Sequence, residues 1–208
     1  MSEESVDEEK RATLRRFAAV GAGGPLARLA GSDADAPADD ETTSDVPAAI
    51  QGYLATTPGA HFSKLRDDLR LGTGETQYHL RRLVERDAVD SWKDGEYRRY
   101  APAGRFSAFE RRALGLLRRD TARGLVVELL RDPDATGAEL ADRLGVSAPT
   151  VSKYAAELSE AGLLDRDDGY RLTRPETTLL LLVRYADSFG PDAVALAGEA
   201  DELVEFSE

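Results

Sequence analysis

The 208-residue sequence predicts a mainly α protein with small β wings, built as two copies of one domain followed by further helices. Three observations carry that expectation. Apolar residues recur at a constant offset of 75 positions: Ile50 with Leu125, Leu54 with Leu129, Leu65 with Leu140, Leu69 with Leu144, Leu71 with Val146, Leu83 with Leu158 and Val89 with Leu164, while Pro58 and Pro133 keep the same interval. Within each copy the apolar spacing is first helical and then alternates as in a strand. Each copy is about 60–75 residues, near the lower limit for an independent core, so a gapless repeat of this size means two domains and not a solenoid.

The elements follow in order. Residues 1–9 are acidic without apolar periodicity and are expected to be disordered. Arg11 to Ala30 predicts a short helix broken by Gly21, Gly23, Gly24 and Pro25, and residues 31–45 read as a polar, acidic linker. Arg15–Arg16 before Phe17 loosely matches a twin-arginine export signal, but Arg28 interrupts the apolar run and no cleavage site follows, so export is not expected. The first copy, 46–103, opens with a helix over 47–56 that Thr57–Pro58–Gly59 stops. A second helix runs from His61 to Leu71, Gly72–Thr73–Gly74 turns the chain, and Glu75 to Asp87 forms a third, with Thr76, Leu80, Leu83 and Val84 as its inner stripe. Val89–Trp92 and Glu96–Tyr100 alternate around Asp94–Gly95 as a hairpin.

The second copy, 104–174 with its leading linker helix, repeats the order with clearer punctuation. Ser107 and Glu110 cap the linker helix, and Thr121 to Arg131 is the next, ended by Asp132–Pro133. Thr136 with Glu139 forms a capping box, Gly145–Val146–Ser147 a turn, and Ala148 to Ala161 a helix stopped by Gly162. Leu163–Leu164 and Tyr170–Leu172 flank Asp167–Asp168–Gly169 as a short hairpin. In 175–208, a helix is expected after Pro175, running through Leu179 to Phe189, and a last one from Asp192 to Phe206. The run Leu179–Val183 is too short to span a bilayer, so no membrane segment is expected.

Composition narrows the chemistry. Cysteine is absent, which excludes disulfides and thiol catalysis, and two histidines, His61 and His79, make a protein-built metal site unexpected. Gly21–Ala22–Gly23–Gly24 lacks the Lys and Ser/Thr of a phosphate loop, and no nucleophile–base constellation is apparent, so neither catalysis nor a cofactor is expected. The net charge is −12 with four lysines, an acidic, arginine-dominated balance expected of a cytoplasmic protein in a salt-accumulating cell; the competing explanation is a GC-rich genome, which also favours Ala, Arg, Gly and Asp. Its distribution is uneven. Residues 1–45 carry 5 basic and 11 acidic side chains, 46–131 carry 16 and 11, and 132–208 carry 6 and 17. Positive charge is therefore concentrated in the first copy and the segment after it.

Three short helices, a tight turn between the second and third, and a closing hairpin define a winged helix-turn-helix. The run Glu139–Leu140–Ala141–Asp142–Arg143–Leu144–Gly145–Val146–Ser147 with Thr150–Val151–Ser152 resembles the helix-turn-helix of many bacterial and archaeal transcription regulators. His61–Phe62–Ser63–Lys64–Leu65 with Gln77–Tyr78–His79–Leu80–Arg81–Arg82–Leu83 resembles predicted archaeal regulators, haloarchaeal by composition, with two winged-helix domains in tandem. The resemblance covers 46 to about 190 and departs at Asp87, where such helices usually end in glycine.

The resemblance implies double-stranded DNA as partner, read by the third helix of each copy from the major groove. In the first copy Thr73, Gln77, Tyr78 and Arg81 point away from the inner stripe; Gln pairs bidentately with adenine and Arg with guanine. Arg82, Arg86 and, in the wing, Lys93, Arg98 and Arg99 are phosphate or minor-groove candidates, while Trp92, Tyr97 and Tyr100 are expected to pack the wing. The second copy offers Ser147, Thr150, Ser152 and Lys153 in an acidic setting, so the first is expected to be the main reader. By analogy with regulators of the MarR type, the apolar faces within 175–206 are expected to form a homodimer. The competing expectation is an acidic adaptor in a chromosome-organisation or basal transcription complex, in which such tandem domains bind protein.

Overall fold

The computed structural model describes residues 3–22 and 41–203. These fall into two compact units that divide between Arg105 and Phe106. The first holds α1 (Glu3–Ala22), α2 (Glu41–Thr56), β1 (Ala60–His61), α3 (Phe62–Asp68), α4 (Thr73–Glu85), β2 (Val89–Asp94) and β3 (Tyr97–Pro102). The second holds α5 (Ala108–Leu117), α6 (Asp120–Arg131), α7 (Gly137–Leu144), α8 (Ala148–Glu160), β4 (Leu164–Asp165), β5 (Arg171–Leu172), α9 (Pro175–Arg184), α10 (Ala186–Phe189) and α11 (Pro191–Leu203). The fold is mainly α with small antiparallel wings, two winged helix-turn-helix domains in tandem.

The offset of 75 is visible in the backbone. Helices α4 and α8 span residues 73–85 and 148–160, equivalent at both ends, and α2 and α6 stop at equivalent residues. Ile50, Leu54, Leu65, Leu83 and Val89 are buried in the first unit, as are Leu125, Leu129, Leu140, Leu158 and Leu164 in the second. Caps recur too. His61 Nδ1 accepts from the Lys64 N–H at 3.2 Å to open α3, and Thr136 Oγ1 accepts from the Glu139 N–H at 3.3 Å to open α7. The left-handed residues also coincide: Gly145 (φ 62°) and Gly162 (φ 75°) stand where the first copy has Arg70 (φ 54°) and Asp87 (φ 53°). The departure at Asp87 therefore leaves the turn intact, with a side chain held in backbone space that glycine enters freely.

The sequence expectations need correction at the N-terminus. Residues from Glu3 onward are helical, not disordered, and α1 belongs to the first core: Leu14 is buried and the Phe17 ring meets Tyr53 edge-on at 5.4 Å. Glu9 pairs with Arg70, and Lys10 lies 3.1 Å from Glu75. Of the expected linker, residues 41–45 start α2, so Pro47 lies inside a helix; residues 31–40 lie outside the described residues, as do 23–30.

The wings differ. In the first unit β1 pairs with β3 and β3 with β2, with six register pairs from Val89↔Pro102 to Asp94↔Tyr97. The second wing keeps two pairs, Leu164↔Leu172 and Asp165↔Arg171, and has no counterpart of β1.

The C-terminal helices close the second core. Leu181, Leu182, Phe189, Ala193 and Leu196 are buried within their own unit. Arg123 donates to both carboxylate oxygens of Asp192 at 2.8 Å and to the Leu117 carbonyl at 3.1 Å, and Arg131 pairs with Glu199 at 2.8 Å. The motive for pairing 175–206 with a second copy is thereby reduced: of their large apolar side chains, Leu180 and Val194 stand exposed among the described residues.

Candidate nucleic-acid interface

Helix α4 is amphipathic because Thr76, His79, Leu80 and Leu83 repeat at helical spacing and are buried. Its opposite face exposes Thr73, Gln77, Tyr78, Arg81 and Arg82. The helix opens on Gly72, whose N–H donates to Glu75 Oε2 at 3.2 Å, while Thr76 Oγ1 donates to the Gly72 carbonyl at 2.8 Å. Arg81 projects into solvent and reaches Glu85 at 2.8 Å, one turn on. Arg82 donates to the Tyr78 hydroxyl at 2.6 Å, with its guanidinium 5.4 Å from that ring's centre. His79 lies on the inner stripe. Burial lowers its imidazole pKa, opposed by Glu75 and reinforced by Arg82.

In the wing, Lys93 and Arg98 are directly opposed across the β2–β3 ladder and both are exposed. Like charges in this position repel, and among the described residues no carboxylate lies within ion-pair distance of either. Arg98 makes one long contact, 3.4 Å to Ser91 Oγ. Arg86 is exposed as well. The first copy thus carries cations without a carboxylate partner among the described residues just past α4, at Arg86, and near the wing tip, at Lys93 and Arg98, while Arg81 on α4 is paired with Glu85.

Arg99, offered by sequence as a phosphate contact, is withdrawn from that surface. It is 3% exposed, lies 2.5 Å from Asp94 Oδ2, and donates to the Gly59 carbonyl at 3.0 Å. Alternation along β3 turns it to the sheet face opposite Arg98. Tyr97 is on that face too: it is half exposed, stacks on His61 with ring centres 4.9 Å apart, and lies under Arg99 at 5.7 Å. Tyr100 packs inward, its phenol pKa raised by burial. Sequence reasoning missed the partners Asp94 and Gly59, because only the strand register brings 59, 94 and 99 together.

The second copy presents a different surface. Ser147 caps α8, accepting from the Thr150 N–H at 3.3 Å, and its hydroxyl lies 2.8 Å from that of Thr150. Ser152 and Lys153 are exposed, with Lys153 3.9 Å from Glu157. The nearby arginines are engaged: Arg119 with Glu157 at 2.6 Å, Arg143 with Asp132 at 2.8 Å, and Arg171 with Asp134 at 3.4 Å. The wing exposes Asp165, Asp167 and Asp168 beside Arg166. Among the described residues no cluster of His, Asp or Glu is arranged to hold a metal ion, and no helix is long and apolar enough to cross a membrane.

Fold and surface together define a tandem helix-turn-helix chain. Comparison with protein families agrees with that class copy by copy: residues 44–114 are similar to a family described as an N-terminal HTH domain, and residues 118–165 to one described as winged helix-turn-helix DNA-binding. The chain matches no curated protein and no solved structure.

Proposed function

We propose that this chain is a transcription regulator that reads duplex DNA mainly through its first winged helix. The exposed face of α4 enters the major groove, where Gln77 and Arg81 address base edges and Thr73, Tyr78 and Arg82 flank them. Lys93 and Arg98 hold phosphates beside the groove. One observation supports this reading above the rest: the opposed Lys93–Arg98 pair, with no carboxylate within ion-pair distance among the described residues, on a chain with net charge −12. The second copy, through Ser147, Thr150, Ser152 and Lys153, adds contacts of lower charge. We place the protein in the cytoplasm of a salt-accumulating archaeon. There, about 1 M salt contracts the Debye length to roughly 3 Å and mutes repulsion between the acidic body and DNA. No catalytic role is part of the reading.

The test is recovery of bound DNA from cells followed by footprinting at growth salt. A protected duplex at recurrent sites is expected; recovery no better than background would refute the reading. A symmetric, paired footprint would in addition support a homodimer through residues 175–206. The adaptor reading draws on the acidic second wing and its internally paired arginines. It predicts stable co-purification with a protein complex and no footprint.

A further inference from the structure

We propose that Arg99 and Asp94 form a latch that orients the first wing, so that Arg99 serves DNA binding as a positioning residue without touching DNA. The inference rests on the reading that the first copy binds duplex DNA. Asp94 and Tyr97 are the last register pair of the wing, separated by Gly95 and Glu96. A two-stranded ribbon extending from a small domain is free to swing at its tip unless something ties that tip back. Arg99 does so from both strands at once. Its guanidinium lies 2.5 Å from Asp94 Oδ2 on β2 and 5.7 Å from the ring centre of Tyr97 on β3.

The same group then reaches out of the ribbon, donating to the Gly59 carbonyl at 3.0 Å. Gly59 belongs to the turn that leads into β1 and α3, and His61, the cap of α3, stacks on Tyr97. The wing tip is therefore fastened to the start of the helix-turn-helix. Lys93 and Arg98 are the next register pair inward, so their spacing and direction follow from the latch. A planar guanidinium suits this task, since it bonds in two directions while lying over a ring. Counted from the pair nearest the third helix, Val89↔Pro102 in one copy and Leu164↔Leu172 in the other, Gly169 occupies the place of Arg99 in the second wing. That wing has no guanidinium at this place and only two ladder pairs.

Charge and position make opposite forecasts for Asp94. Removing a carboxylate beside DNA strengthens binding if charge alone matters, whereas it weakens binding if the carboxylate holds the wing. The experiment measures affinity of the full-length protein for a labelled mixed-sequence duplex across a salt series. It compares the parent, D94N and R99M, then the same two substitutions in a K93A/R98A background.

D94N and R99M are expected to weaken binding about fivefold and to lower the slope of log affinity against log salt toward that of K93A/R98A, which loses roughly 0.9 per phosphate contact. In the K93A/R98A background neither substitution should change affinity further. Tighter binding by D94N overturns the latch. So does an equal loss from R99M in both backgrounds, which would make Arg99 a phosphate contact. If R99M does not fold, R99K replaces it, keeping the charge beside Asp94 while shortening the reach to Gly59. A loss of both affinity and slope, smaller than that of K93A/R98A, is then the expected result, and parental values of both would contradict a role for the Gly59 bond. Absence of binding by the parent would refute the DNA-binding reading itself, a result separate from failure of the latch.

Discussion

The two helix-turn-helix copies share a backbone and differ in what they do with charge. In the second, arginine is structural: Arg119, Arg123, Arg131 and Arg143 each hold a carboxylate of their own unit, and Arg123 and Arg131 fasten the terminal helix α11. In the first, Lys93, Arg98 and Arg86 stand on the surface without such partners among the described residues, and the one buried arginine of the wing, Arg99, fastens the hairpin that carries them. An uncompensated surface cation near DNA exchanges a condensed counterion for a phosphate, while one already paired must first give up its partner. Two copies of one core thus diverged through the environment of their arginines and the length of their wings, while α4 and α8 kept equivalent bounds.

The largest effects should be indifferent to that divergence. Leu65→Ala and Leu140→Ala remove equivalent, fully buried side chains, and each is expected to cost its own domain about 2–5 kcal/mol. Trp92, the single tryptophan, reports the first loss by fluorescence, and amide exchange across α7 and α8 reports the second. A tolerated L140A would mean that the second core is organised differently, with the terminal helices carrying its stability.

Smaller effects probe the left-handed turns. Asp87→Gly should stabilise the first domain by about 0.5–1 kcal/mol, because it relieves a side chain at φ 53°, whereas Gly162→Ala should destabilise the second by a similar amount. Thermal unfolding of each variant checks both signs, and a destabilising D87G would indicate that the Asp87 side chain contributes more than its backbone costs.

The smallest concerns His79. Burial depresses its folded-state pKa below the ordinary 6.5, so the unfolded chain takes up the proton first as pH falls. The stability of the first domain should therefore decline as pH drops below about 6.5 and level off beneath the folded value. His79→Gln should flatten that part of the profile while leaving the second domain, which lacks histidine, unchanged.

Much of the fold was legible in the sequence because apolar period and caps are local signals. The offset of 75, the Thr136–Glu139 box and the turn glycine Gly145 each correspond to an observed element. The exposed face of α4 was legible for the same reason. What was illegible is non-local. The first residues of α1 were read as disordered because 1–9 are acidic without apolar periodicity, and the short helix expected from Arg11 gave no sign that Leu14 and Phe17 anchor it beside Tyr53. Strand β1 is two residues long and exists through pairing with Tyr100 and Arg99. Arg99 itself looked like its neighbour Arg98 until register and alternation put the two on opposite faces.

The most direct measurement is the salt dependence of duplex binding by three full-length proteins: the parent, K93A/R98A in the first wing, and R166A/R171A in the second. The first pair should lower the slope of log affinity against log salt by roughly two and weaken binding, while the second pair should leave the slope within experimental error of the parent. An equal loss from both wings, or a larger one from the second, would contradict the assignment of DNA reading to the first copy.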